Sequence, residues 1–226
     1  MDRRSMLGGL LAAGATTLPA RGAWAATQSV KLTQAFAYLE DYLTLASGKR
    51  DRFHMAYYAV RDRKFASDLK AVVVGADGKR TPLVLERDAR VAELPSLAEL
   101  RSGASLEAEA APGEKVGLAL ELEPNLPVAT HIDAAALSAA IAQCEAAVAG
   151  IAGVLSFAAP KIVSALFPGA ASGQALLDNG RAQPLPTSDS RFYGLLPYFE
   201  PASLSGARTL VLARAPSRIL LSGHPK

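Results

Sequence analysis

Asp77-Gly78-Lys79-Arg80-Thr81-Pro82-Leu83 and Asn179-Gly180-Arg181-Ala182-Gln183-Pro184-Leu185 carry the same punctuation 102 positions apart. Asp-Gly and Asn-Gly are hairpin signals, because a tight reversal needs backbone angles that Gly, Asp and Asn adopt readily. A two-residue hairpin is expected at each. The match runs without a gap to Leu94-Pro95 and Leu196-Pro197. With one or two inserted residues, Gly103-Ala104 meets Gly206-Ala207 and Ala111-Pro112 meets Ala215-Pro216. These are turn and strand-end positions, where backbone geometry dictates the residue. A gapless register of about twenty residues favours an internal duplication over coincidence.

Working outward, residues 30–46 place Leu32, Phe36, Leu39, Leu43 and Ala46 on one face of an expected amphipathic helix, closed by Ser47-Gly48. The period then changes to two. Strands are expected at 53–60, 69–74, 81–85, 90–94, 105–110 and 116–122. A second helix is expected at 134–149 with Asp133 as its N-cap, ended by Gly150 and Gly153. Apolar runs follow at 154–157, 162–167, 175–177, 191–195, 209–213 and 218–221. Short turns between alternating strands leave no room for the crossover helices of a parallel sheet. The expected fold is α+β, mostly antiparallel β, as two duplicated helix-plus-strands modules, 28–124 and 131–226, with sandwich-like packing.

The chain opens Met1-Asp2-Arg3-Arg4-Ser5-Met6-Leu7, followed by an uncharged, Gly- and Ala-rich stretch to Ala20 and small residues at Ala23-Trp24-Ala25. That order is a signal peptide, 1–25, with cleavage after Ala25. Gly8, Gly9, Gly14 and Pro19 interrupt an apolar stretch too short to span a bilayer. The paired Arg3 and Arg4 with the apolar residues after Ser5 resemble twin-arginine export signals, whose cargo crosses already folded. The resemblance covers about the first 25 residues and implies the Tat translocase as a partner during export, a periplasmic location and no transmembrane anchor after cleavage. Sec export is the alternative.

The 24 basic and 21 acidic residues give a net charge of +3, and loss of Arg3, Arg4, Arg21 and Asp2 lowers it to +1. No electrostatic case for nucleic acid remains. Half the chain is apolar, enough for a real core. The single cysteine, Cys144, falls in helical register with Leu137, Ile141, Val148 and Ile151 and is expected to be buried.

No set of residues has the spacing of a catalytic, metal or nucleotide site. His54, His131, Cys144 and His224 are scattered. Glu107, Glu109, Glu121 and Glu123 alternate along strands and read as solvated faces. Ser67-Asp68-Leu69-Lys70 resembles the nucleophile motif of penicillin-binding proteins and class A β-lactamases, but its companion motifs are absent and Leu69 leads into a strand. No glycine-rich loop joins a strand to a helix in phosphate-binding order, so no cofactor is expected. Tyr57, Tyr58, Phe192, Tyr193, Tyr198 and Phe199 include rings suited to a sugar or peptide. The tentative ligand surface is His54, Tyr58 and Tyr193.

The expected role is a non-enzymatic periplasmic binding or scaffolding module with a protein, glycan or peptide ligand. The alternatives are a cofactor-independent hydrolase with a site between the two halves, and an accessory subunit of an envelope complex.

Overall fold

The computed structural model describes residues 26–152, 161–190 and 192–223. Arg3, Arg4, Ala23, Ala25, the run 154–157 and His224 lie outside them. The described chain is α+β and mostly antiparallel β, with its strands in four sheets of sandwich-like packing. It divides into two compact units, one of Met1–Glu40 with Tyr57–Leu120, the other of Asp41–Ala56 with Glu121–Lys226.

The first half contains β1 (Ala26–Lys31), α1 (Leu32–Ala35), α2 (Leu39–Thr44), β2 (Phe53–Arg61), β3 (Lys64–Phe65), β4 (Ala71–Val74), β5 (Arg80–Pro82), α3 (Leu97–Arg101), β6 (Ser105–Ala110) and β7 (Val116–Pro124). One sheet runs β1-β6-β4-β5 and another β3-β2-β7. The expected helix 30–46 is a correction: Ala26–Lys31 pairs with Ser105–Ala110, and the helical part breaks between Ala35 and Leu39, where Tyr38 has φ 66°. A tyrosine in the left-handed region cannot continue an α-helix. Leu32, Phe36 and Leu39 are still buried as their spacing required, whereas Ala46 is exposed. The Tyr57 hydroxyl donates to the Ala37 carbonyl at 2.6 Å, and its ring meets Phe36 edge-on at 5.0 Å, so burial fixes the break. Helix α3 was not anticipated, although Ser96 and Glu99 form a reciprocal capping box at its start.

The second half contains β8 (His131–Asp133), α4 (Ala134–Ala152), β9 (Ser164–Leu166), β10 (Gly173–Leu177), β11 (Ala182–Pro184), β12 (Thr187–Ser190), β13 (Gly194–Phe199), β14 (Ala207–Leu212) and β15 (Leu220–Ser222). Its sheets run β8-β14-β10-β11 and β12-β13-β9-β15. The Asp133 carboxylate accepts the Ala136 N–H at 2.9 Å, as the N-cap reading required. Helix α4 passes through Gly150 and packs on β14, β8 and β9 with Leu137 and Cys144 fully buried. Its stretch Ala134–Ile151 is long and apolar enough to cross a membrane, and here a third of that stretch is buried against the strands.

The order β1-β6-β4-β5 becomes β8-β14-β10-β11 residue by residue. Val30 opposite Leu106 corresponds to Ile132 opposite Leu210, and Val73 opposite Leu106 to Ala175 opposite Leu210. The outer positions are shifted by 102 and those of the central strand by 104, which accommodates the two inserted residues before Ala215. The reversals agree too. Gly75 and Leu177 accept from Gly78 and Gly180, and the Asp77 and Asn179 side chains accept the next-but-one N–H, both at 3.0 Å. Each is a three-residue loop ending in a left-handed glycine, Gly78 at φ 79° and Gly180 at φ 78°, and not the expected two-residue hairpin.

The correspondence in strand pairing does not extend to Leu94-Pro95, although the sequence match does. Leu85 lies opposite Val91, but Thr187 lies opposite Pro197, so the second hairpin is four residues longer.

Where the first unit pairs Ala71 with Ala108, the second pairs Gly173 with Leu212. A Cβ on Gly173 would meet Leu212 Cδ2 at 2.6 Å and Leu185 Cδ1 at 2.8 Å. Gly173→Ala should therefore cost about 1–3 kcal/mol of overpacking. Leu212→Ala alone should cost about 2–5 kcal/mol. The double variant should lose less than the sum, because the new methyl enters space that the leucine vacates. Urea denaturation of the three variants checks this; strict additivity would contradict it.

Candidate functional site

Polar side chains converge at the end of β7. Glu121, Glu123 and Asn125 recur at the two-residue period that puts side chains on one face of a strand. The segment 41–56 of the same unit supplies His54. Its Nδ1 lies 2.6 Å from Asn125 Oδ1 and its Nε2 lies 3.2 Å from Glu123 Oε2. The Asn125 amide nitrogen donates to the Asp51 carbonyl at 2.8 Å, which fixes the orientation of that amide. Two residues before Glu123, the Glu121 carboxylate accepts from the Tyr193 hydroxyl at 2.5 Å and from Arg218 Nη1 at 3.3 Å. The Arg218 guanidinium also stands 5.8 Å from the centre of the Tyr193 ring.

Burial sets the electrostatics. The side chains of Glu123, Glu121 and Arg218 are 8%, 11% and 10% exposed, and that of His54 is 34% exposed. Reading Glu121 and Glu123 as solvated faces is therefore a correction: partners distant in sequence cover both. Loss of water pushes the Glu121 carboxyl above the usual range; the Tyr193 hydroxyl and the Arg218 guanidinium oppose the rise, and the neighbouring Glu123 adds to it.

The segment 41–56 is tied on by further bonds. The Asn125 N–H donates to the Arg52 carbonyl, the Arg52 N–H donates to Gln143 Oε1, and Gln143 Nε2 donates to Asp51 Oδ1. Within the segment, Tyr42 meets Phe53 edge-on at 5.6 Å and donates its hydroxyl to the Phe53 carbonyl. Beside these contacts, Asp51, Arg52, Asn125, Leu126, Ala136 and Ala140 line an open depression of about 290 Å³.

The three residues of the tentative ligand surface have different fates. His54 and Tyr193 both belong to the cluster around Glu121 and Glu123. Tyr58 is buried at 1% exposure, with its ring 5.5 Å from Phe65, and offers no surface to a ligand. Strand β2 is buried along most of its length, so strict alternation does not decide which ring faces water. The residues that sequence reasoning missed are Glu121, Glu123, Asn125 and Arg218. The glutamate spacing of two was visible, but the partners that bury it were not.

His131 is exposed, with its Nδ1 3.1 Å from the Thr130 hydroxyl. Among the described residues no three His, Cys, Asp or Glu side chains are grouped to hold a metal. Asp68 of the Ser-x-x-Lys stretch chelates Arg61 at 2.8 and 3.0 Å, and Leu69 is in the core. Cys144 is a free, fully buried thiol, and burial pushes it up to about 12. Compared with family models, with curated proteins and with solved structures, the chain matches none.

A carboxyl raised in the folded state stabilises the fold most below its ordinary 4.5, and that contribution is lost as the pH rises through the raised value. Glu121→Gln removes it. Wild-type stability minus the variant's stability should thus decline as the pH rises above the ordinary 4.5. Urea titrations across that range measure the difference, and a constant value would mean that this carboxyl titrates normally.

Proposed function

We propose that the chain is an exported protein whose mature part is a duplicated, non-catalytic module acting by binding or scaffolding in the periplasm. The duplication is supported by the strand order that one sheet of each half shares and by offsets of 102 and 104 that hold through the ladders and the tight turn of that sheet. Export is supported by the paired Arg3 and Arg4 and by the small residues Ala23 and Ala25; cleavage after Ala25 leaves β1 whole.

The observation that carries the binding reading is that the members of the polar cluster are paired with one another. Both Glu121 oxygens have donors, both His54 nitrogens have partners, and the Asn125 amide is engaged at both atoms. A general acid or base must keep an atom within reach of substrate. Groups that consume one another's hydrogen bonds instead brace a surface, and beside Asn125 that surface carries a shallow, open depression. The module needs no cofactor for this. A protein partner, as for an accessory subunit of an envelope complex, is the second reading. Leu195 at 72% exposure and Phe192 at 38% favour it, since Phe192 lies in the β12–β13 turn and Leu195 just after it.

The binding role predicts a rise in melting temperature with a cell-wall fragment, a glycan or a peptide, reduced by Asn125→Ala. Turnover of ester or amide substrates without any such shift would overturn it. The export reading predicts periplasmic protein whose first residue is Ala26, and retention of the full chain in the cytoplasm when Arg3 and Arg4 are both replaced by Lys. Cytoplasmic wild-type protein that keeps Trp24 would refute it.

A further inference from the structure

We infer that strand β1 is an interface: two copies of this chain pair along it, antiparallel and centred on Ser29, so that two four-stranded sheets join into one. The pairing depends on the geometry of one sheet edge and not on the proposed binding role.

Backbone direction decides which groups are open. In an antiparallel ladder, alternate residues bond to one neighbouring strand and the residues between them face the other way. Leu32 donates to the Ala104 carbonyl at 2.9 Å, in register with the β1–β6 pairs, so Val30 and Gln28 also turn toward β6. Glu109 donates to the Lys70 carbonyl at 3.0 Å, so the odd-numbered residues of β6 turn toward β4 and its even-numbered ones toward β1, in agreement. Thr27, Ser29 and Lys31 therefore point their N–H and C=O groups beyond the edge of the sheet, and all three residues are exposed.

The related edges are closed. Leu83 and Leu185 donate inward to Ala71 and Gly173, which leaves Pro82 and Pro184 at the outward positions of β5 and β11, where proline removes the donor. Strand β8, the counterpart of β1, has three residues and runs directly into α4. Strand β1 has six residues, with no proline and no bulge. An edge of that length with open main-chain groups is a template for another strand.

The edge is complementary to itself. Outward groups must meet outward groups, so odd-numbered residues pair with odd-numbered ones. A two-fold axis at Ser29 matches Ser29 with the partner's Ser29 and Lys31 with the partner's Thr27, each pair exchanging two hydrogen bonds. Within each copy Thr27 lies opposite Glu109. The partner's Glu109 therefore stands on the same face as Lys31, two strands away, at about 10 Å between backbones. Lysine and glutamate side chains are long enough to meet across that gap, and both residues are exposed. The axis makes this ion pair twice. Glu107, next along β6, is held by Arg80 at 2.8 Å. Lys31 is the only charged residue of β1, so the pairing sets no like charges opposite each other.

Sedimentation velocity of the full chain, over a concentration series reaching the millimolar range, should show a monomer–dimer equilibrium. In amide hydrogen exchange the Thr27, Ser29 and Lys31 amides should gain protection with concentration, while those of Gln28 and Val30 are protected throughout. Ser29→Pro removes the central donor at an outward position and should abolish the dimer while keeping the fold. Lys31→Glu and Glu109→Lys should each raise the dissociation constant about tenfold at low ionic strength, because two exposed ion pairs turn repulsive. The double reversal should restore it, which an effect on folding would not do. A chain that stays monomeric throughout overturns the inference and leaves the edge to a strand of different sequence. A dimer that neither the proline nor the charge reversals weaken uses another face and overturns it equally. The charge reversals decide the matter if Ser29→Pro does not fold.

Discussion

Leu106 and Leu210 each sit in the middle of a four-stranded sheet with an apolar residue opposite on both sides, Val30 and Val73 for the first, Ile132 and Ala175 for the second. Side chains alternate along a strand, so slipping this row by one position would turn every core residue of the central strand toward water. Burying one leucine is worth about 1.5–3 kcal/mol, and a slip would forfeit several such contributions at once. The pairing of the outer strands, the place of the left-handed glycines and the start of α4 at Asp133 all follow once this row is set.

The second unit spends part of that stability on polar groups. Two glutamates, an arginine and a tyrosine are withdrawn from water at the end of β7, where a buried ion pair recovers its desolvation cost only if its atoms are well bonded. Here each carboxylate meets at least one polar partner from a distant element. Such a network adds little net stability for its size and constrains which residues can meet, because any other pairing leaves a charge exposed to apolar surroundings.

Periodicity exposed much of the architecture. Ser105–Ala110 was expected with its observed bounds, and Asp133, Gly78 and Gly180 were recognisable because capping and left-handed geometry restrict the residues that fit. What stayed hidden was non-local. Residues 26–31 form a strand because Ser105–Ala110 is there to pair with, although residues 30–46 as a whole have helical spacing. The tightest hairpin in the first unit lies at Asp62-Arg63, with φ 47° and 67°, where no glycine marks it; the Asp62 carboxylate compensates by accepting the Lys115 N–H. The cluster was legible only as two glutamates and one histidine, since hydrogen bonds between residues about 70 positions apart leave no trace in local pattern.

The second unit is assembled from two stretches of chain, 41–56 and 121–226, with most of the first unit inserted between them. During synthesis the earlier stretch emerges long before the strand that receives it. Closing that loop carries an entropic toll that local contacts cannot offset, which makes this unit the slower of the two to reach its native form. A fragment cut at the boundary between the halves would lack His54 and the Tyr42–Phe53 pair, so circular permutation that joins 41–56 to the later stretch, and not simple truncation, is the way to isolate it.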